Sequence, residues 1–184
     1  MTITAYYDPG YAAPIGKHVM PITKFSMVAV GLRERPGIRL ERPEPASEAD
    51  LLRVHTKEYV DAVRTGEPRA LAESQKFPWT PELYPSVCLT NGGVIAASRR
   101  ALRDGAAAAV ASGFHARGHA DHGEGFCTFN GLVVAAEALR TAGELSTVAV
   151  FDMDLHYGNG TAALATTRPW LVNVSLSGND SHQN

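Results

Sequence analysis

Cysteine is scarce in this chain. Cys88 and Cys127 are the only two among 184 residues, too few for a disulfide framework, so a reducing compartment is expected. A surplus of either charge is also missing, because 17 Lys and Arg nearly cancel 19 Asp and Glu and leave a formal charge of -2. No broad positive field exists to hold nucleic acid or anionic lipid, and neither is expected as a partner. Long hydrophobic runs are lacking too: the stretches at 106–111 and 148–151 fall well short of the roughly 20 residues that a membrane helix needs. No basic and apolar leader opens the sequence, so a cytoplasmic location is expected. There is no internal repeat and no low-complexity tract. With 45% hydrophobic and 20% charged residues, disordered and collagen-like chains are excluded, and the length suits a single domain spanning 1–184.

What is present reads first as local structure. Residues 3–7 alternate β-branched, small and aromatic side chains before Asp8-Pro9-Gly10 and predict a strand and a turn. From Pro21 the apolar residues recur at mostly helical spacing until Pro36-Gly37. Ser47-Glu48-Ala49-Asp50 fits a capping box, and Thr56 starts a further short helix that ends at Gly66. Residues 67–79 read as a polar surface connection. Thr80-Pro81-Glu82 resembles an N-cap with proline at the first helical position, leading into a long helix from Leu83 through Leu102, kinked at Pro85 and stopped by Gly105. Beyond it, apolar strands at 106–111, 147–152 and 170–176 alternate with helices at 132–142 and 161–165. That order implies right-handed β-α-β units and an α/β fold in three layers around a mainly parallel sheet.

In such a sheet, ligands bind beyond the carboxyl ends of the strands. Two strand ends here are rich in groups that hold metals or protons. One is the loop carrying His115, His119 and His122, followed by Gly123-Glu124-Gly125-Phe126-Cys127. The other is Asp152-Met153-Asp154-Leu155-His156-Tyr157-Gly158-Asn159-Gly160. Residues two apart on an extended backbone face the same way, so Asp154 and His156 can share one ion, with Asp152 behind them. A carboxylate and an imidazole suit zinc or another first-row divalent metal. Simpler readings stand beside these: Asp-x-Asp can cap a helix, His122 can be a solvated loop residue, and Phe126 can belong to the core.

At these residues the sequence resembles the histone deacetylase superfamily, which includes acetylpolyamine amidohydrolases and shares its fold with arginase. The matching elements are Gly123-Glu124-Gly125-Phe126-Cys127-Thr128-Phe129-Asn130 and Val150-Phe151-Asp152-Met153-Asp154-Leu155-His156-Tyr157-Gly158-Asn159-Gly160-Thr161. Further likeness lies in His18 to Phe25, Asp50 to Val60 and Phe77 to Glu82, which look most like the bacterial branch related to class IV deacetylases. The resemblance implies a zinc-dependent deacetylase with the arginase/deacetylase fold, acting on an acetylated lysine in a protein or on an acetylated small amine. It implies Asp154 and His156 as Zn²⁺ ligands, and Asp152 as a residue behind the metal or on a monovalent ion. Gly125 and Phe126 would line the acyl channel, and Ser175 and Leu176 would hold a structural K⁺. In such enzymes, metal-bound water attacks the amide carbonyl while a histidine takes the proton.

Two departures are visible. The family carries adjacent histidines, whereas here His115 is followed by Ala116. His115 is therefore the expected general base and His119 the substitute. The family also supplies its third zinc ligand and an oxyanion-stabilising tyrosine from later loops, so a C-terminally incomplete domain is expected, with Asp180 a conceivable replacement ligand. A catalytically impaired binding or scaffold module is the alternative reading, and arginase-like chemistry with two manganese ions is disfavoured by Phe126-Cys127.

Overall fold

The computed structural model describes residues 2–111 and 114–178. Ser112, Gly113 and Asp180 lie outside the described residues. The chain opens with strand β1 (Ile3–Tyr6) and a 3-10 turn at Pro9–Tyr11 whose start is capped by Asp8. Helix α1 (Lys24–Arg33) follows, beginning three residues after Pro21. Strand β2 (Ile38–Glu41) comes next. It is an addition to the elements read from sequence. Its four residues, Ile-Arg-Leu-Glu, become a strand by pairing in parallel with β1, Ile3 opposite Ile38.

Helices α2 (Glu48–Leu52) and α3 (Lys57–Thr65) form where their caps predict. The Ser47 hydroxyl accepts from the Asp50 amide while the Asp50 carboxylate accepts from the Ser47 amide, a reciprocal box. Thr56 caps α3 through the Tyr59 amide, and Gly66 ends it at φ 83°. The segment 67–79 differs from the surface connection expected. It contains helix α4 (Arg69–Ala72) and buries Ala72, Gln75 and Phe77. Helix α5 (Leu83–Asp104) starts after Glu82, without a side-chain cap from Thr80. Pro85 is its third residue, where the amide has no partner four residues back, so a proline needs no kink there.

Strand β3 (Ala107–Ala109) pairs in parallel with β1, giving the order β2-β1-β3. Helix α6 (Gly131–Thr141), strand β4 (Val148–Asp152), helix α7 (Asn159–Ala165) and strand β5 (Leu171–Ser175) complete the described chain. Strands β4 and β5 are parallel, with Asp152 opposite Ser175. The core joins Tyr59, Val60, Val63, Phe129, Val133, Val134 and Leu139 between α3, α5 and α6. Burying each large apolar side chain contributes about 1.5–3 kcal/mol. Phe151, Val172 and Val174 face outward, so among the described residues β4 and β5 are covered more fully on one face than the other. Parallel strands flanked by helices make the three-layer α/β/α arrangement.

Candidate active site

The loop that leaves β4 turns twice on its own carboxylates. The Asp154 amide donates to Asp152 Oδ1 at 3.0 Å, and the His156 amide donates to Asp154 Oδ2 at 3.0 Å. Such Asx turns fix side chains two residues apart by local bonding alone. They bring His156 Nδ1 to 3.1 Å from Asp154 Oδ2. Partial burial opposes ionisation of Asp154, but the amide and imidazole of His156 outweigh it and hold the carboxyl below its usual range.

Asp152 lies deeper. Its Oδ2 is buried without a hydrogen-bond partner. A Cβ at Gly158 would come 2.6 Å from that oxygen, which is why a glycine stands there. The Leu176 amide donates to the Asp152 carbonyl at 2.8 Å, and Ser175 Oγ accepts from the Gly158 amide at 3.3 Å. Asp152, Ser175 and Leu176 are thus together at the paired ends of β4 and β5. An orphaned carboxylate oxygen beside a hydroxyl is a setting that a cation relieves.

Asp152, Asp154 and His156 line a cleft of about 420 Å³, shared with Gly125, Phe126 and Cys127 from the other loop. Phe126 has φ 67°, a conformation that bulky residues rarely adopt. The strain is held by its amide bond to the Gln75 carbonyl at 2.9 Å and by edge and tilted contacts of its ring with His18 and Phe77, each at 5.3 Å. Gly125, at φ 53°, lies under Arg117, and a Cβ would meet that side chain at 2.8 Å. Burial pushes the Cys127 thiol up to about 12, so it is no nucleophile at neutral pH.

The histidines sit elsewhere. His115 is buried, with Nδ1 3.2 Å from both the Phe129 carbonyl and the Gly131 amide, and Nε2 without a partner. Burial lowers its pKa to about 4. Its neighbours Phe114 and Ala116 line the cleft, whereas His115 and His119 are not among the cleft's described lining residues. His119 stacks on His122 with ring centroids 4.4 Å apart and points Nε2 toward Glu124 Oε2 at 3.4 Å.

Sequence reasoning missed the polar frame behind these loops. Asn130 donates through Nδ2 to the Gly118 carbonyl and to Thr161 Oγ1, while its amide donates to His55 Nε2. His55 Nδ1 in turn donates to the His119 carbonyl at 2.8 Å. The Thr161 amide donates to the Ala116 carbonyl, tying α7 to the histidine loop. Glu124 pairs with Arg117 and accepts from Asn159 Nδ2 at 2.9 Å. His55, Glu124, Asn130, Asn159 and Thr161 all stand inside the segments that carry the resemblance. That clustering was the available signal.

Comparison with known proteins identifies the family. Residues 18–183 match the family described as "Histone deacetylase domain". A histone deacetylase-like amidohydrolase of Pseudomonas aeruginosa is 34% identical over 143 residues, covering 76% of this chain and 37% of that protein. An acetylpolyamine amidohydrolase of Burkholderia pseudomallei is 39% identical over 90 residues, covering 47% of this chain and 25% of that protein. The crystal structure of the HDA15 HD domain superposes with a TM-score of 0.81 at 21% identity, over 95% of this chain and 54% of that one. The chain therefore spans about half or less of these relatives, with the arginase/deacetylase fold in common. Matched over most of its length, and carrying its Asp-x-Asp-x-His turn against the Gly-Phe-Cys loop, the chain belongs to the histone deacetylase domain family.

Proposed function

We propose that this chain forms part of a zinc-dependent amidohydrolase that removes an acyl group from an amine, as in N-acetyl-lysine or an acetylated small amine. One observation carries the reading: Asp154 Oδ2 and His156 Nδ1 stand 3.1 Å apart on the wall of a cleft faced by Phe126. Bonds of 2.0–2.1 Å in a tetrahedral zinc site set neighbouring ligand atoms on the order of 3.3 Å apart, so these two fit one ion. When bound there, the ion supplies Lewis acidity to an amide carbonyl and lowers the pKa of a water.

The chain's own residues account for the rest of the proposal. Phe126 and Phe114 give the aliphatic stem of an acylated amine an apolar wall. Asp152, with Ser175 and Leu176, holds a monovalent ion such as K⁺ and keeps the metal-binding turn anchored to β5. His115, between two residues on the cleft wall, is the proposed proton acceptor by its place in the chain, although burial lowers its pKa to about 4. The substrate reading is supported by relatives whose names include acetylpolyamine amidohydrolase. A cytoplasmic location stays part of the proposal, and no described helix is long and apolar enough to cross a membrane.

A second reading, a deacetylase-like binding module without turnover, is favoured by Ala116 after His115 and by both histidines turning away from the cleft lining. Zinc content and hydrolysis of an acetyl-lysine reporter and an N-acetylated diamine discriminate the two. The enzyme reading expects turnover and one equivalent of zinc held in the cleft, both lost in Asp154→Asn. Binding of an acetyl-lysine peptide without turnover supports the module. Metal content and turnover unchanged in Asp154→Asn would refute the site.

A further inference from the structure

His119, His122 and Glu124 converge behind the cleft, and nothing in the proposed hydrolysis uses them together. One ligand atom from each lies within 4.8 Å of the others. The convergence has a local cause. The His119 amide donates to the His122 carbonyl at 2.9 Å, which folds the loop back on itself and stacks the two imidazoles with planes 7° apart. Burial, with the neighbouring His122, lowers the His119 pKa. Neutral imidazole is the form that binds metals.

Each ligand is also oriented from behind. Asp121 Oδ1 lies 2.7 Å from His122 Nδ1 and orients that ring, leaving Nε2 as the atom that can face an ion. A carboxylate behind a histidine is the usual support for a metal-binding imidazole. Glu124 gives one oxygen to Arg117, while Oε2 accepts from Asn159 and keeps lone-pair capacity toward His119. His119 Nε2 is buried and satisfied by no hydrogen bond. Two imidazoles and a carboxylate make an N,N,O donor set of the kind that takes zinc, with a fourth position for water. The separation of up to 4.8 Å exceeds the roughly 3.3 Å between ligands of a tetrahedral site. Closing that gap requires the His122 ring, 43% exposed, to shift inward from its stacked position.

We propose that His119, His122 and Glu124 form a second divalent-metal site of the zinc class, outside the cleft, which clamps the histidine loop. The site is independent of the hydrolase reading, and its test removes the cleft's ligand first. Zn²⁺ alone is titrated calorimetrically into the 184-residue chain carrying Asp154→Asn, and into the same chain with His122→Ala or Glu124→Gln added. His122 is a surface residue, so its loss leaves the fold intact by circular dichroism.

The expected result is one equivalent bound by the Asp154→Asn chain, weakened tenfold or more by His122→Ala and by Glu124→Gln, together with a zinc-dependent rise in Tm that His122→Ala abolishes. Absence of zinc binding by the Asp154→Asn chain overturns the proposal. So does binding of the same affinity after His122→Ala. Failure of the hydrolase reading would show instead as missing turnover, which this titration does not measure.

Discussion

Lowering the pH from 7.5 to 5 destabilises this fold through two histidines. His55 is buried, accepts at Nε2 from the Asn130 amide and donates from Nδ1 to the His119 carbonyl. A second proton would turn the acceptor into a donor facing an N–H. Burial, first, lowers its pKa from 6.5 to about 4, and burial does the same for His115. Below pH 6.5 the unfolded chain takes up protons that the native state refuses, so stability falls with pH and levels off only below pH 4. At pH 5 each histidine costs about 2 kcal/mol, and the pair about 4 kcal/mol. Carboxyl groups held below their usual range, such as Asp50 and Glu124, shed stability at lower pH, mostly below their ordinary values of 3.8 and 4.5. His119 adds to the loss in the same direction. Urea unfolding followed by circular dichroism at both pH values, with a chelator present to remove metal linkage, measures the difference. In His55→Gln, which keeps a donor and an acceptor but does not titrate, the pH-dependent loss should shrink by about 2 kcal/mol. An unchanged loss in both His55→Gln and His115→Gln, or stability flat across the range, would refute the reasoning.

Three other outcomes are expected. Gly160→Ala places a Cβ 2.4 Å from the Gly118 carbonyl, a backbone atom that cannot rotate away; overpacking of this kind costs about 1–3 kcal/mol, visible as a lower Tm. Cys88 and Cys127, raised by burial to about 11 and about 12, should resist a chromogenic thiol reagent in the native protein and both react in urea. Phe129→Ala, removing a ring packed on Tyr59 and His55 at 5.5 and 4.9 Å, should cost about 3–5 kcal/mol in denaturant titrations.

The legible parts of this fold are those decided within a few residues. Ser47, Thr56, Gly66 and Gly105 mark helix ends through bonds to their own neighbours, and each does so in the structure. The Asp154 and His156 pair belongs to the same kind, since two consecutive Asx turns assemble it. Strand β2 was not legible because Ile-Arg-Leu-Glu gains its identity only from the partner strand 35 residues away. The burial of Gln75 and Phe77 was hidden by polar composition, because Gln75 is enclosed partly by the distant loop at Phe126. His115 turns inward because Gly131, where a Cβ would come 2.7 Å from its Nδ1, leaves space for it. Spacing along the chain carries no trace of that, and none of the loop reversal that joins His119 to His122 and Glu124.

The Asn130 side chain touches three segments at once: the loop at Gly118, helix α7 at Thr161 and, through Oδ1, the Val133 amide in the first turn of α6. Segments fastened through one buried group do not open singly. The amides of Gly118, Thr161 and Val133 should therefore exchange their hydrogens with one common opening free energy, behaving as a single foldon. Asn130→Ala would let each of them breathe on its own. The two loops that face each other across the cleft thus share a reservoir of local stability, and any substitution that loosens one should register in the exchange rates of the other.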